Sequence, residues 1–336
     1  MTNLKRLITS VMISALLISA LTFTTAQAAT KKQTIKQETA PTDSTNPTEP
    51  SEAVNDNVLY GKFIYTDGDS ITKGAKVPVD TLLGTRPTYA ALTADRNQAN
   101  YLTNAISGTT MGCINANGKE YQGFASTAYK RYKKAPANVD YITLWFGTND
   151  NTLGRLMYKE QWLKKKYGKT IYYPRFDYQI GRKGFATKAQ IKACDSVTGY
   201  IDGVKYTGNR YFYMKYLGNE KSTDKRTFWG AYNNVLNYLT TSPKYKNTKI
   251  GIVVPYGTTS MMRDAVRKIA KKHNVACLDL YDDNLPLFYG KEASNTSVTE
   301  SMCIENRNKY LADGIHPNEE GHELLSYIYE DWLKTM

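Results

Sequence analysis

The sequence KFIYTDGDSITKG, residues 62–74, decides the fold. Residues 62–66 indicate a short buried strand, and a polar segment begins directly after it at Asp67. Further along the chain, predicted strands alternate with predicted helices. The strands are 139–146, 249–254 and 275–280, and the helices are 124–134, 227–240, 260–272 and a last one from Pro317 to about Lys334. Strands separated by helices indicate βαβ units and a parallel sheet covered on both faces.

Such sheets form their active sites at the carboxyl ends of their strands, and four polar clusters are candidates for such a site. They are residues 67–74, 104–110, 147–150 and 313–318. Together they supply a serine nucleophile, a histidine base, an aspartate to orient it, and Gly and Asn donors for an oxyanion. Asp313 and His316 are three residues apart, so one turn can place the carboxylate against one imidazole nitrogen while the other faces Ser70. The serine lacks a G-x-S-x-G context, which excludes the nucleophile elbow of the α/β-hydrolases.

The order of these motifs resembles that of the SGNH, or GDSL, hydrolase family. The motifs are Gly-Asp-Ser at 68–70, Gly108, Gly-x-Asn-Asp at 147–150 and Asp-x-x-His-Pro at 313–317. The resemblance covers about residues 58–336 and is especially close at 313–321. It implies a flavodoxin-like three-layer α/β/α sandwich with a five-stranded parallel sheet, and hydrolysis of carboxylic esters without a metal or another cofactor.

The resemblance also assigns roles to individual residues. Ser70 would be the nucleophile, His316 the base and Asp313 its partner. The oxyanion donors would be the backbone N–H groups of Ser70 and Gly108 and the side-chain amide of Asn149. Gly112 is an alternative for the glycine role, although Ser107-Gly108-Thr109 matches the family's second block better.

Each motif by itself is also typical of an ordinary turn. Gly-Asp-Ser and Gly-Thr-Asn-Asp are common turn sequences, and a glycine such as Gly108 often supplies a positive φ. Turns do not explain why all four motifs occur in the family's order at predicted strand ends and at the start of the last helix. The joint pattern therefore favours a catalytic site.

The amino terminus predicts export. Lys5 and Arg6 precede an apolar stretch at 7–23, and Ala26-Gln27-Ala28 is a signal-peptidase site, so residues 1–28 read as a signal peptide. An uncleaved anchor helix is the alternative. Residues 29–57 are polar and poor in large apolar side chains, which is typical of a disordered linker. We therefore expect a secreted, extracellular or cell-wall-associated protein, with no stable membrane insertion after cleavage, whose hydrolase domain spans 58–336.

The charge of the chain is concentrated in a long insertion after the third motif. The chain has a formal net charge of +13, which points to an anionic partner. Residues 151–225 contain sixteen Lys and Arg against six Asp and Glu, together with ten tyrosines. Basic and aromatic residues in this mixture also occur in single-stranded nucleic-acid binders. Because export argues against that partner, we predict no nucleic acid and favour an acylated anionic polysaccharide or cell-wall polymer.

The insertion contains a predicted hairpin, from Tyr200 to Tyr206, with an Asp-Gly type I′ turn. A long loop leaving a catalytic strand end lies over or beside the site, as loops that set substrate choice do. Tyr200, Lys205 and Tyr206 are therefore candidate substrate-binding residues, with tyrosines stacking on sugars and cations holding phosphate or carboxylate groups. The alternative is a solvated β-rich subdomain whose tyrosines form its own core.

The remaining histidines and the cysteines offer no metal site. His273 ends an amphipathic helix, and His322 is six residues beyond His316, on a different helix face. Both are expected to be structural. Cys113, Cys194, Cys277 and Cys303 permit two disulfides in any of three connectivities, with buried free thiols as the alternative, above all for Cys277.

These observations predict a secreted serine ester hydrolase that removes acetyl or other small acyl groups from a carbohydrate. Two alternatives remain: a lipolytic esterase for longer acyl chains, and a non-catalytic protein that binds an anionic surface polymer through the insertion. Acyl transfer to an acceptor sugar uses the same acyl-enzyme and also stays open.

Overall fold

A five-stranded parallel sheet forms the centre of the molecule. The computed structural model describes residues 57–82, 84–113, 123–281, 288 and 299–336, so the predicted signal peptide and nearly all of the predicted linker lie outside the described residues. The sheet strands are β1 (Phe63–Gly68), β2 (Asn100–Thr103), β3 (Tyr141–Trp145), β6 (Lys249–Val254) and β7 (Ala276–Asp279). These strands lie in the order β2-β1-β3-β6-β7. When the five strands are numbered along the chain, this is the 2-1-3-4-5 order of flavodoxin-like folds, which confirms the predicted fold class.

Helices cover both faces of the sheet. Helix α2 (Tyr89–Arg96) packs against α9 (Glu319–Thr335), and α6 (Phe228–Thr241) packs against α7 (Ser260–His273). Because βαβ crossovers are right-handed and the chain moves from β1 to β2 in one direction and from β3 through β6 to β7 in the other, the two helix pairs lie on opposite faces. The helices are α1 (Ser70–Lys73), α2 (Tyr89–Arg96), α3 (Arg155–Tyr167), α4 (Lys188–Asp195), α5 (Gly208–Leu217), α6 (Phe228–Thr241), α7 (Ser260–His273), α8 (Glu300–Tyr310) and α9 (Glu319–Thr335).

The central strands are buried on both sides, as parallel strands between two helix layers must be. All five residues of β3 are buried, and Trp145 at its end contacts the ring of Tyr89 in α2 at a centroid distance of 5.2 Å. Tyr89 also meets Tyr329 of α9 edge to face, and the Tyr329 hydroxyl lies 2.7 Å from Thr143 Oγ1. These contacts join the helices α2 and α9 to the middle of the sheet. In the described part of the chain, no helix is long and apolar enough to cross a bilayer.

The insertion is mainly helical, so the alternative of a β-rich subdomain is wrong. It contains α3, α4, α5 and a two-stranded antiparallel hairpin of β4 (Thr198–Ile201) and β5 (Val204–Thr207). Its buried aromatic residues Phe212, Tyr213 and Tyr216 belong to the main hydrophobic core, because α5 packs against α6 and against the turn Asp150–Gly154 that follows β3. Leu163, Ile171 and Ala186 form a small hydrophobic cluster within the insertion.

The predicted hairpin is confirmed. Asp202 and Gly203 have φ angles of 50° and 79°, and a type I′ turn requires positive φ at both central positions.

The predicted helix at 124–134 is wrong. Only Arg131–Lys133 forms a short 3₁₀ turn, and Lys130 before it has φ 49°. The backbone N–H groups of Phe124 and Ala125 donate to Thr110 and Met111 at 2.9 and 3.2 Å, so this segment pairs with a neighbouring loop instead of with itself. A tertiary contact has replaced local helix formation here.

His322 is a core residue of α9, as expected. It is fully buried, its Nδ1 accepts the backbone N–H of Tyr89 at 3.2 Å, and its Nε2 has no hydrogen-bond partner among the described residues. Burial, with a smaller contribution from His316, lowers the pKa of His322 to about 3. The imidazole therefore stays neutral in the folded protein near pH 6.5, where the same side chain takes up a proton in the unfolded chain.

This burial predicts a loss of stability in acid. Because the unfolded state binds the proton near pH 6.5 and the folded state does not, stability should fall by about 2 kcal/mol between pH 7.5 and pH 5 through this group. In His322→Asn, whose side-chain oxygen can still accept from Tyr89, that part of the pH dependence should vanish. Thermal melts of both proteins across this range test it, since the buried carboxylates act in the opposite direction equally in both. Melting temperatures that change with pH in the same way in both proteins would contradict the prediction.

Candidate active site

Ser70 lies at the amino-terminal end of α1, immediately beyond the carboxyl end of β1. Asp69 caps this short helix, its carboxylate accepting the backbone N–H of Ile71 at 3.0 Å. The turn from strand to helix is tight: a Cβ on Gly68 would lie 2.2 Å from Thr72 Oγ1. Only glycine fits before Asp69, and the turn presents Ser70 at the edge of the sheet.

Ser70, His316 and Asp313 form one continuous hydrogen-bonded chain. His316 Nε2 is 2.8 Å from Ser70 Oγ, and His316 Nδ1 is 2.9 and 3.0 Å from the two oxygens of Asp313. The Asp313 carboxylate also accepts the backbone N–H groups of Ile315 and His316, at 3.2 and 2.9 Å. The segment 313–316 thus forms the single turn that the spacing predicts.

The contacts of Asp313 keep it ionised. Partial burial raises its pKa, but the hydrogen bonds from the His316 backbone and ring, together with the charge of the ring, lower it to about 2. Lys76 Nζ lies 3.4 Å from the same carboxylate. When the imidazole is neutral, an ionised Asp313 accepts from Nδ1–H, and the nitrogen that faces the serine is then the unprotonated Nε2.

Gly108 lies at the tip of the loop that follows β2, which we call the 104–112 loop. Its φ of +77° suits glycine, and a Cβ there would meet nothing within 4 Å. The start of the loop follows β1, since Asn104 N–H donates to Thr66 at 3.3 Å and Ile106 N–H to Gly68 at 3.2 Å.

Arg131 holds the same loop against the end of β1. Its guanidinium donates to Thr109 Oγ1 at 2.8 Å and to the carbonyl of Asn104 at 2.9 Å, and it forms a buried ion pair with Asp67. Burial raises the pKa of Asp67 to about 6, against the lowering effect of Arg131. The sequence offers no local signal for Arg131, because its partners are remote along the chain.

Asn149 joins the segments that carry Ser70 and Gly108. Its amide Nδ2 lies 3.2 Å from Asp69 Oδ2 and 3.3 Å from the carbonyl of Thr109. A π-helical turn, Asp150–Gly154, begins directly after it. The three residues predicted as oxyanion donors are therefore carried by segments that contact one another.

The other glycine considered from the sequence, Gly112, has its backbone N–H engaged elsewhere. It donates to Asp150 Oδ1 at 3.1 Å. Asp150 is fully buried, and burial raises its pKa to about 6. Burial likewise raises the pKa of Asp69 to about 7.

The three predicted substrate-binding residues lie on the β4–β5 hairpin. The Tyr200 side chain is 68% exposed, and Arg210 lies over the ring of Tyr206 at 5.8 Å. No hydrogen bond joins Tyr200, Lys205 or Tyr206 to the Ser70 site within the described residues.

None of the four cysteines forms a disulfide. Cys113 follows the 104–112 loop, and its Sγ lies 3.0 Å from the carbonyl of Lys225 at the end of the insertion. His273 also has a structural contact, with its Nε2 2.8 Å from Asn233 Oδ1. In the part of the chain that the structure describes, no three His, Cys, Asp or Glu side chains are arranged to hold a metal ion.

The fold is that of a flavodoxin-like α/β protein, and its carboxyl edge carries a hydrogen-bonded Ser–His–Asp arrangement. Similar solved structures include a protein from Lactobacillus plantarum, with 17% identity over 82% of this chain and 98% of that chain and a TM-score of 0.45. A protein from Bacteroides ovatus named as a GDSL-like lipase has 17% identity over 82% and 99% of the two chains and a TM-score of 0.42. A family two carbohydrate esterase from Clostridium thermocellum, solved with cellohexaose, has 15% identity over 82% and 64% and a TM-score of 0.41. No family model and no curated protein matches the sequence.

These likenesses are distant, and the strand order and the side-chain contacts define the fold and the site without them. The arrangement of Ser70, His316 and Asp313 is one in which an imidazole can accept the proton of a serine hydroxyl.

This geometry predicts a selectively reactive serine. A fluorophosphonate should label Ser70 alone, because His316 can take its proton during attack on phosphorus. In His316→Gln the labelling rate should fall by about 10²- to 10⁴-fold, the usual contribution of a general base. Peptide mass spectrometry locates the label, and Ser70→Ala is the control that should take up none. Equal labelling rates in wild type and His316→Gln would contradict the geometry.

Proposed function

We propose that this chain is an exported SGNH-type serine ester hydrolase that removes acetyl or other small acyl groups from an extracellular or cell-surface carbohydrate. The observation that supports this most directly is the unbroken chain from Ser70 Oγ through the His316 ring to the Asp313 carboxylate. The motif order of the sequence supports the same assignment.

In the proposed reaction, His316 Nε2 takes the Ser70 proton while Oγ forms a bond to the ester carbonyl carbon, and the carbonyl electron pair moves to oxygen. The tetrahedral intermediate then expels the sugar oxygen, which receives the proton from His316. Water repeats the sequence on the acyl-enzyme and releases the free acid. Asp313 stays ionised throughout and stabilises the imidazolium.

The negative oxygen of the intermediate would be held by three N–H donors. Within the described part of the chain, the backbone N–H groups of Ser70 and Gly108 have no hydrogen-bond acceptor. The third donor, Asn149 Nδ2, carries two hydrogens and makes contacts of 3.2 Å to Asp69 and 3.3 Å to Thr109. We propose that the oxyanion replaces the Thr109 carbonyl as the acceptor, since a charged acceptor forms the stronger bond.

The proposed substrate is a polymer with negative charge, held by the insertion. A groove of about 590 Å³ runs between α3 and α5 and is lined by Trp162, Lys164, Lys165, Tyr211 and Lys215, among others. Lys215 Nζ lies 5.2 Å from the ring centroid of Tyr158 and 5.8 Å from that of Tyr211. Aromatic rings with cations beside them suit sugar rings that carry carboxylate or phosphate groups.

Turnover of 4-nitrophenyl esters tests the proposed reaction. Wild type should hydrolyse the acetate ester, and Ser70→Ala should not. Asn149→Ala should lower kcat by about 10²- to 10³-fold, as expected for the loss of one oxyanion donor. Activity that increases toward long acyl chains would favour the lipolytic alternative, and no Ser70-dependent turnover of any ester would reject the enzyme.

Retention on an immobilised anionic polysaccharide tests the proposed substrate. Changing Lys164, Lys165 and Lys166 to Glu should weaken retention and reduce its dependence on salt, because these residues lie at or beside the groove. The matched control changes Lys246, Lys249 and Lys271 to Glu; these side chains are exposed around the start of β6 and the end of α7, at the opposite edge of the sheet from Ser70. Equal weakening by both triple variants would reject a specific role for the groove.

A further inference from the structure

Asp150 connects the two segments that carry Gly108 and Asn149. It directly follows Asn149, and its buried carboxylate accepts the backbone N–H of Met111 at 2.9 Å and that of Gly112 at 3.1 Å. These two amides end the 104–112 loop. A single carboxylate thus fixes the loop of one proposed oxyanion donor relative to the other.

The insertion supplies a further hydrogen bond to this carboxylate. The hydroxyl of Tyr216, a fully buried residue of α5, donates to Asp150 Oδ1. No Lys or Arg among the described residues forms an ion pair with Asp150. Its charge is therefore held by the two amides and the Tyr216 hydroxyl, and removing one donor from a buried charged acceptor is costly.

The Tyr216 ring is confined on two sides by glycines. A Cβ on Gly112 would lie 2.6 Å from the Tyr216 hydroxyl oxygen, and a Cβ on Gly154 would lie 2.1 Å from its ring. Gly112 ends the 104–112 loop, and Gly154 ends the π-helical turn that begins after Asn149. The ring therefore packs closely against both segments, and a side chain larger than hydrogen at either glycine would displace it.

We infer that Tyr216 is a positioning residue for the proposed ester hydrolysis, acting through Asp150 on the placement of Gly108 and Asn149. This inference rests on the proposed function. It gives the insertion a second task besides binding the substrate: α5 completes the support of the oxyanion site.

The test is Tyr216→Phe, which removes the hydroxyl and keeps the ring. With 4-nitrophenyl acetate, kcat should fall by roughly 10- to 100-fold, because small displacements of catalytic donors have effects of that size. KM should stay nearly unchanged, since the oxyanion forms only on the way to the transition state. In the Asn149→Ala background the same substitution should cost less, because one of the donors that it positions is already gone.

Tyr213→Phe is the matched control. Tyr213 lies one turn earlier on α5, is also buried, and its hydroxyl contacts Asn151 Oδ1 at 3.3 Å and Thr259 Oγ1 instead of Asp150. It should lower the melting temperature while kcat stays at the wild-type value. Equal loss of kcat in both variants would mean that α5 acts only through general stability.

Hydrogen exchange provides a readout that does not depend on activity. Backbone amides of residues 104–113 should exchange faster in Tyr216→Phe than in wild type or Tyr213→Phe. The role of Tyr216 would be overturned if wild type is active and Tyr216→Phe keeps the wild-type kcat. It would also be overturned if amide exchange in Tyr216→Phe is the same as in wild type. Wild-type protein without Ser70-dependent turnover would reject the proposed function instead, and the exchange rates would still decide whether Tyr216 holds the loop.

Discussion

The parallel direction of the five strands is the constraint on which the site depends. β1 and β3 are neighbours, with Gly68 opposite Trp145, so Ser70 and Asn149 leave the sheet side by side. The 104–112 loop leaves β2 on the other side of β1 at the same edge. An antiparallel order would have sent these segments to opposite ends of the sheet. Only His316 and Asp313 come from elsewhere, from the turn between α8 and α9.

Buried carboxylates hold these loops together. Asp67, Asp69 and Asp150 are all fully buried, and burial raises the pKa of each. An ionised carboxylate without water needs several donors, and here the donors come from different segments of the chain. Arg131 serves Asp67, Asn149 serves Asp69, and Tyr216 serves Asp150. Asp67 and Asp69 also accept backbone N–H groups of their own segments. Because each of the three carboxylates accepts at least one hydrogen bond from a remote segment, each one links two parts of the chain.

What the sequence predicts well is local. The β-branched run at 249–254 coincides with β6, the Asp-Gly turn with the β4–β5 hairpin, and the apolar stripe after Pro317 with α9. Each pattern reports burial or turn geometry that its own residues determine. The motif spacing likewise anticipates the Asp313–His316 turn.

What the sequence does not show is tertiary. β2, with the sequence NYLT, is a half-exposed edge strand without an apolar run, so periodicity gives it no signal. Residues 124–134 have a helical pattern, but the N–H groups of Phe124 and Ala125 pair with the 104–112 loop. Tyr216 and Asp150 are 66 residues apart, and nothing in either neighbourhood indicates that they meet.

The insertion has a surface that packs on the core and a basic surface that lines the groove, and an experiment must change one without the other. One side of α5 places Tyr213 and Tyr216 in the main core, whereas Lys215 on the other side lines the groove with Trp162. Deleting residues 151–225 would therefore remove the basic surface, but it would also remove a hydrogen bond to Asp150 and expose the core. A loss of polymer binding in such a deletion would have no single cause. Charge reversal at the groove leaves Tyr216 and its hydrogen bond to Asp150 in place, so a loss of polymer binding then reports on the basic surface.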